Sequence, residues 1–292
     1  MSHHPLAEIF GFPAGNFSES AKRHRLNRLC PYNNKVPNCT KDKAKDPLGV
    51  CSVYENDNAV ITCPIRFRQN WLIADDAAAF LFSPHIPWTS LTEVRLPDKQ
   101  GRSAGNIDVV LVAYNDRGRI IDFGALEVQA VYISGNIRNA FEYYMQDPDS
   151  RHDMIWEGPY YPRPDYLSSS RKRLAPQLIY KGGILNKWGK KMAVAVDRHF
   201  FSNLPVLPET SSENADIAWL VYDLSFDPIH NQFDLTHYRT VYTEFTPALE
   251  TITTSEAGPV ESFVEHLQQK LDEKLENGYS PDAPALTDFI EE

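Results

Sequence analysis

Apolar and polar positions sort the chain into stretches of different period. Asn106–Tyr114 and Ile120–Ile133 are dense in Val, Ile and aromatic residues, which suit a pleated, half-buried surface. Asn115-Asp-Arg-Gly118 lies between them with turn chemistry, so the pair predicts a β-hairpin. Met192–Val196, Ala218–Leu224 and Gln232–Glu244 read as further strands. Asp75–Phe82 opens with acids and continues with helix formers, predicting a short helix, and Asn136–Gln146 predicts another. A longer helix is predicted over about Ser169–Trp188, against the contrary signals of Pro176 and the Gly182-Gly183 pair. Val260, Phe263, Val264, Leu267, Leu271 and Leu275 recur at helical spacing, between Pro259 and Gly278, which predicts a helix that packs. Trp71, Trp156, Trp188 and Trp219 are read as core anchors, and His24 and His199 are given no role. Residues 1 to 72 are loop-rich and hold all four cysteines, 73 to 250 carry the strands and helices of a core, and 251 to 292 form a helix and an acidic tail.

Composition narrows the class. With 42% hydrophobic and 23% charged residues among 292, the chain is of ordinary globular type rather than disordered, collagenous or coiled-coil. No stretch approaches about 18 uninterrupted apolar residues, so no membrane span is expected. The start lacks a cationic run followed by an apolar core, which points to a reducing cytoplasm. The formal charge of −10 is unevenly spread: from Glu250 to the end eleven acids face two bases, so the remainder is close to neutral. Phe17–Lys45 and Arg171–Arg198 each hold eight bases, against two acids and one acid. Phosphate binding depends on such local patches, so an acidic whole chain is compatible with DNA as partner. Charge alone fits solvated helix faces equally well.

The hairpin carries the candidate chemistry. Alternate residues of a strand share a face, so Ala125, Glu127 and Gln129 point one way and Leu126, Val128 and Ala130 the other. A turn centred between Asp116 and Arg117 makes paired positions sum to about 233. Asp108 then opposes Ala125, with Glu127 as its diagonal neighbour. Two converging carboxylates repel unless a cation lies between them, and Mg²⁺ prefers oxygen ligands of this kind. One carboxylate on a strand and Glu-x-(Lys, Glu or Gln) on the next is also the active-site pattern of a large class of metal-dependent DNA-cutting enzymes, and Glu127-Val-Gln129 fits it. In that reading Asp108 and Glu127 hold Mg²⁺ and Gln129 orients the attacking water. Two solvated acids on an edge hairpin would give the same pattern by chance.

Cys30, Cys39, Cys51 and Cys63 fall within thirty-four residues without a Cys-x-x-Cys pair. Four thiolates in a loop-rich segment suit a closed, structural site for tetrahedral zinc or iron. Two disulfides or unrelated buried thiols are the alternatives, the first disfavoured by a reducing compartment.

These features together resemble the NotI-type restriction endonucleases, which include the EagI-like enzymes. The matching stretches are Ala7-Glu-Ile-Phe-Gly11, Leu29-Cys-Pro31, Gly49-Val-Cys-Ser-Val53, Cys63-Pro-Ile-Arg66, Gly124-Ala-Leu-Glu-Val-Gln129, Gly135 with the helix after it, and Pro176-Gln-Leu-Ile-Tyr-Lys181. They are collinear over roughly residues 5 to 225. The resemblance implies an α/β fold of restriction-endonuclease-like PD-(D/E)XK type, with a central mixed β-sheet flanked by helices. It adds a small N-terminal four-cysteine domain holding iron. It implies a homodimeric type II restriction endonuclease of a restriction-modification system, in the cytoplasm of a prokaryotic cell. Such an enzyme cuts double-stranded DNA at a GC-rich, GGCC-containing palindrome with Mg²⁺ and leaves 5′-phosphates. The family's catalytic residues fall on Asp108, Glu127 and Gln129, with Glu93 matching a further acid, and its cysteines on Cys30, Cys39, Cys51 and Cys63.

Asn136, Arg138 and Asn139 follow the Glu-x-Gln strand at a helix start and are candidates for base readout, since Arg suits guanine and Asn adenine in the major groove. Arg171, Lys172 and Arg173 are candidates for phosphate contact, and Gln177 and Lys181 for base or phosphate contact. Two other functions fit less of the chain: a metal-stabilised DNA-binding protein without nuclease activity, and a DNA-repair nuclease.

Overall fold

The computed structural model describes residues 4–33, 36–43, 45–157 and 160–276. The N-terminal region, expected to be loop-rich, contains a small antiparallel sheet. Its strands are β1 (Leu6–Ile9), β2 (Phe12–Pro13), β5 (Val50–Glu55) and β6 (Asn58–Ile61), in the order β2-β1-β5-β6, with β3 (Asp42–Lys43) and β4 (Asp46–Pro47) pairing separately. These strands escape period-two reading because β1 is buried at every position and β5 at its first four. Asn56 and Asp57 join β5 to β6 with φ of 48° and 67°, which Asn and Asp tolerate in a tight hairpin turn. Glu8 of β1 and Arg66 are fully buried and paired at 2.9 Å; Ser52 donates to Glu8 at 2.8 Å and Arg66 donates to the Phe233 carbonyl at 2.8 Å. The lone charges that burial would strand therefore meet partners.

The large sheet has six strands: β7 (Trp88–Pro97), β8 (Ser103–Tyr114), β9 (Ile120–Gln129), β12 (Met192–Asp197), β13 (Ile217–Asp227) and β14 (Gln232–Thr243). Their order is β14-β13-β12-β9-β8-β7. β12 runs parallel to both β9 and β13, and the other pairs are antiparallel, so the sheet is mixed. The edge strand β7 alternates half-buried and exposed residues and is an addition to the strands expected from the sequence. Past Gln129 the chain turns, and β10 (Tyr132–Ser134) pairs with β11 (Arg163–Asp165) instead of prolonging β9 to Ile133.

Each face of the sheet is covered. One packs the helix Leu72–Leu81 through Ile73, Ala74, Ala77 and Leu81. This helix comes so close that a Cβ on Gly124 of β9 would lie 2.5 Å from Leu81 Cδ2. The other face packs Phe245–Thr253 and a helical run over residues 166–187. That run reconciles Pro176 with a helix by widening into π turns at Ser170–Leu174 and Leu178–Gly182. A π turn relieves the clash of a proline ring with the preceding turn. The helix Ile137–Gln146 packs its Phe141 and Tyr144 against the N-terminal sheet.

Trp219 is fully buried as an anchor, but Trp188 is half exposed, with its ring edge-on to Phe123. Met1–Thr253 forms one compact unit and Thr254–Glu292 a second. In the second, the helix Val260–Glu276 forms where the apolar spacing predicted one, and none of its residues is buried. Gly278 lies outside the described residues. Among the described residues no helix is long and apolar enough to cross a membrane.

Candidate active site

The hairpin register differs from the expected one, and the difference brings the acids closer. Val109 opposes Leu126, Val110 opposes Ala125 and Leu111 opposes Gly124, so paired positions sum to 235 rather than 233. The turn is longer than assumed: Asn115 N–H donates to the Arg119 carbonyl at 3.0 Å, and its side-chain oxygen accepts the Arg117 and Arg119 N–H groups. The register also shifts between Ala113 and Tyr114. Continued one step past Val109 and Leu126, this pairing sets Asp108 directly beside Glu127 instead of diagonal to it.

The two carboxyls do meet. Glu127 is 1% exposed. Burial pushes its pKa up to about 8, and the nearby Asp108 charge adds to the rise while Lys181 opposes it. Asp108 Oδ2 accepts the Val128 N–H at 2.9 Å, which ties its carboxylate across to the Glu-x-Gln strand. Lys181 Nζ donates to Glu127 Oε2 at 2.5 Å and to the Asn106 carbonyl at 2.8 Å. Glu127 Oε1 is buried without a hydrogen-bond partner. Gln129, also buried, donates from Nε2 to the Ala130 carbonyl at 2.7 Å.

Glu93 completes the row. Thr92 opposes Val109 and Val94 opposes Ile107, so Glu93 falls opposite Asp108 on β7. It is exposed, and its φ of 56° in mid-strand is a conformation that non-glycine residues rarely adopt. Three acids thus stand on three adjacent strands, with one lysine delivered by the helical run.

A family model described as restriction endonuclease NotI matches residues 16–235, three quarters of the chain. The chain belongs to the NotI restriction endonuclease family. Membership makes it a restriction endonuclease, a site-specific hydrolase of double-stranded DNA. No curated protein matches it. The family match includes Glu93, Asp108, Glu127, Gln129, Lys181 and all four cysteines, and it ends before the amphipathic helix.

Within this family member the DNA-contact candidates divide by environment. Arg171, Lys172 and Arg173 are exposed on a π turn, and Arg173 lies over the Tyr132 ring at 4.9 Å. Asn139 is exposed, whereas Asn136 caps its helix by accepting the Asn139 N–H at 3.2 Å. Arg138 is engaged with Asp42 at 2.5 Å and Asp46 at 2.9 Å, which fastens the helix to the paired strands β3 and β4 of the cysteine segment. The Gln177 side-chain oxygen is buried without a partner. Lys181, a candidate for base or phosphate contact by sequence, is buried on Glu127. A hint is present in the sequence: Lys181 interrupts an apolar run and is followed by two glycines.

All four cysteines are free thiols, with Cys39, Cys51 and Cys63 buried and Cys30 half-buried. Burial raises the Cys30 pKa to about 11, and the charges of Cys63 and Cys39 add to it. The same two effects raise Cys51 and Cys39. The thiols therefore lie within electrostatic reach of one another. Among the described residues, however, no three His, Cys, Asp or Glu side chains converge as a metal-holding group. The Asp108–Glu127 pair fits a cation differently. Mg²⁺ is commonly held by one or two carboxylates with the rest of its shell from water and substrate phosphate. A buried carboxylate oxygen lacking any partner, next to a second carboxylate, is the donor set such an ion takes.

Proposed function

We propose that this chain is a homodimeric, Mg²⁺-dependent type II restriction endonuclease that cuts both strands of a GC-rich, GGCC-containing palindrome. The observation that carries the reading is the meeting of Asp108 on β8 with Glu127 on the adjacent Glu-x-Gln strand β9, both inside the family match. A divalent cation held by these two carboxylates would neutralise the scissile phosphate and make water a better nucleophile near neutral pH. Asp108, held by the Val128 N–H, and Glu127, held by Lys181, keep their carboxyl oxygens in place for the cation, Glu127 giving up its proton when the cation binds. Gln129 would release its contact with the Ala130 carbonyl to hydrogen-bond the attacking water, and Glu93 would supply a further oxygen from β7. In-line attack at phosphorus expels the 3′-oxygen and leaves a 5′-phosphate. Two-fold pairing of chains would place one such site on each strand.

Asn139, exposed on its helix, would read a base edge, and Arg171, Lys172 and Arg173, also exposed, would neutralise phosphates. The four thiols would draw together on one structural iron or zinc ion, a donor set that these metals favour. Sequencing the ends of digested DNA tests the reading. Ends that share one palindrome and carry 5′-phosphates are expected; ends scattered among sequences would indicate a repair-type nuclease and overturn it.

A further inference from the structure

The Glu-x-Gln strand brings no positive charge of its own to the two acids. Gln129 is neutral, and its amide is turned to the Ala130 carbonyl. The cation paired with Glu127 comes from elsewhere: Lys181, fifty-four residues on, reaches Oε2 at 2.5 Å. Its side chain is 7% exposed, and its second bond, to the Asn106 carbonyl at 2.8 Å, fixes the ammonium between β8 and β9. A residue this enclosed is poorly placed to track a DNA backbone. The surrounding backbone is shaped for it. Lys181 lies in the π turn Leu178–Gly182, and an extra residue in a turn rotates the side chains beyond it relative to a regular helix. Gly105, whose φ of +117° favours glycine, runs alongside the lysine stem, where a Cβ would make ordinary contact with Lys181 Cδ at 3.7 Å.

We propose that Lys181 is the positioning cation of the catalytic centre, supplying from the helix the charge that Gln129 does not supply from the strand. It pins Glu127 by Oε2 and leaves Oε1 unpaired for a ligand. It also offsets the mutual repulsion of Glu127 and Asp108. This inference rests on the proposed function of the Asp108–Glu127 pair.

The test moves the charge. Lys181→Met, Lys181→Arg and the double variant Lys181→Met with Gln129→Lys are compared with wild type and with Glu127→Ala. Cleavage with Mg²⁺ gives kcat and KM; fluorescence anisotropy with Ca²⁺ replacing Mg²⁺ gives DNA affinity; urea unfolding gives stability. Lys181→Met is expected to lower kcat by about 100-fold while DNA affinity stays within about threefold. Lys181→Arg is expected to keep more activity than Met, and Gln129→Lys to recover at least about tenfold in the Met background. Wild-type kcat in folded Lys181→Met overturns the proposal. So does a loss confined to DNA affinity, which would make Lys181 a phosphate contact. A loss that neither Arg nor the relocated lysine relieves marks a packing role only and also overturns it. If Glu127→Ala still cuts, the reading of the carboxylate pair fails; if Glu127→Ala is inert and Lys181→Met cuts normally, only the present inference fails.

Discussion

Glu127 carries a stability cost that can be measured without any cleavage assay. Its pKa in the folded, metal-free protein is about 8, chiefly because it is buried and secondly because Asp108 is near. In the unfolded chain a glutamate titrates near about 4.3. Between these values the folded state holds a proton that the unfolded state has lost. Stability must therefore fall as pH rises, by about 1.4 kcal/mol per pH unit from this group, and level off above about pH 8. Asp197, raised to about 6 by burial, has the same sign but finishes titrating lower. The interval from about pH 6.5 to 8.5 lies above the Asp197 titration, and the part of the loss that comes from Glu127 across it should be about 2 kcal/mol. The perturbation is Glu127→Gln, which keeps shape and removes the titration. Urea unfolding of both proteins in the presence of chelator, at the two ends of that interval, gives the difference. The wild type should lose about 2 kcal/mol more than the variant, since the histidines and buried thiols common to both cancel. Parallel pH profiles would refute a buried Glu127 with a raised pKa.

Other consequences are separable. Arg66→Ala should destabilise the fold by about 3–5 kcal/mol in urea unfolding, because Glu8 would be left buried without its partner; a change below about 1 kcal/mol would contradict that account. Gly124→Val should cost about 1–3 kcal/mol, since any side chain there enters Leu81, and thermal unfolding checks it. Replacing Arg171, Lys172 and Arg173 together by Ala should weaken DNA binding at all sequences alike. It should also reduce the slope of log affinity against log salt by up to about 2.7, at about 0.9 per lost phosphate contact. Strong chelation should lower the melting temperature if the four cysteines hold metal, and elemental analysis finding neither iron nor zinc in folded protein would dismiss that site.

What was legible in the sequence followed the range of the interactions. The hairpin, the helix after it and the strands around Met192 and Ala218 rest on local pattern, and each exists in the fold. So does the placing of Glu127 and Gln129 opposite the face of Leu126, which needs only strand alternation. The register missed by two because hydrogen bonds within Asn115–Arg119 lengthen the turn, and those depend on an Asn side chain rather than on hydrophobic pattern. β1 and β5 were missed because continuous burial erases the period-two signal. The Lys181–Glu127 contact joins a helix to a strand far along the chain, and no spacing rule reaches that distance. Arg138 looked free for DNA because its partners, Asp42 and Asp46, lie more than ninety residues earlier.

Supercoiled plasmid DNA, incubated with wild type, Asp108→Asn and Glu127→Ala, with and without Mg²⁺, tests the central claim most directly. The paired carboxylates predict linear product from wild type with Mg²⁺ alone, and intact plasmid from both variants while Ca²⁺-supported DNA binding persists. Full cutting by either variant, or by wild type in chelator, would contradict it.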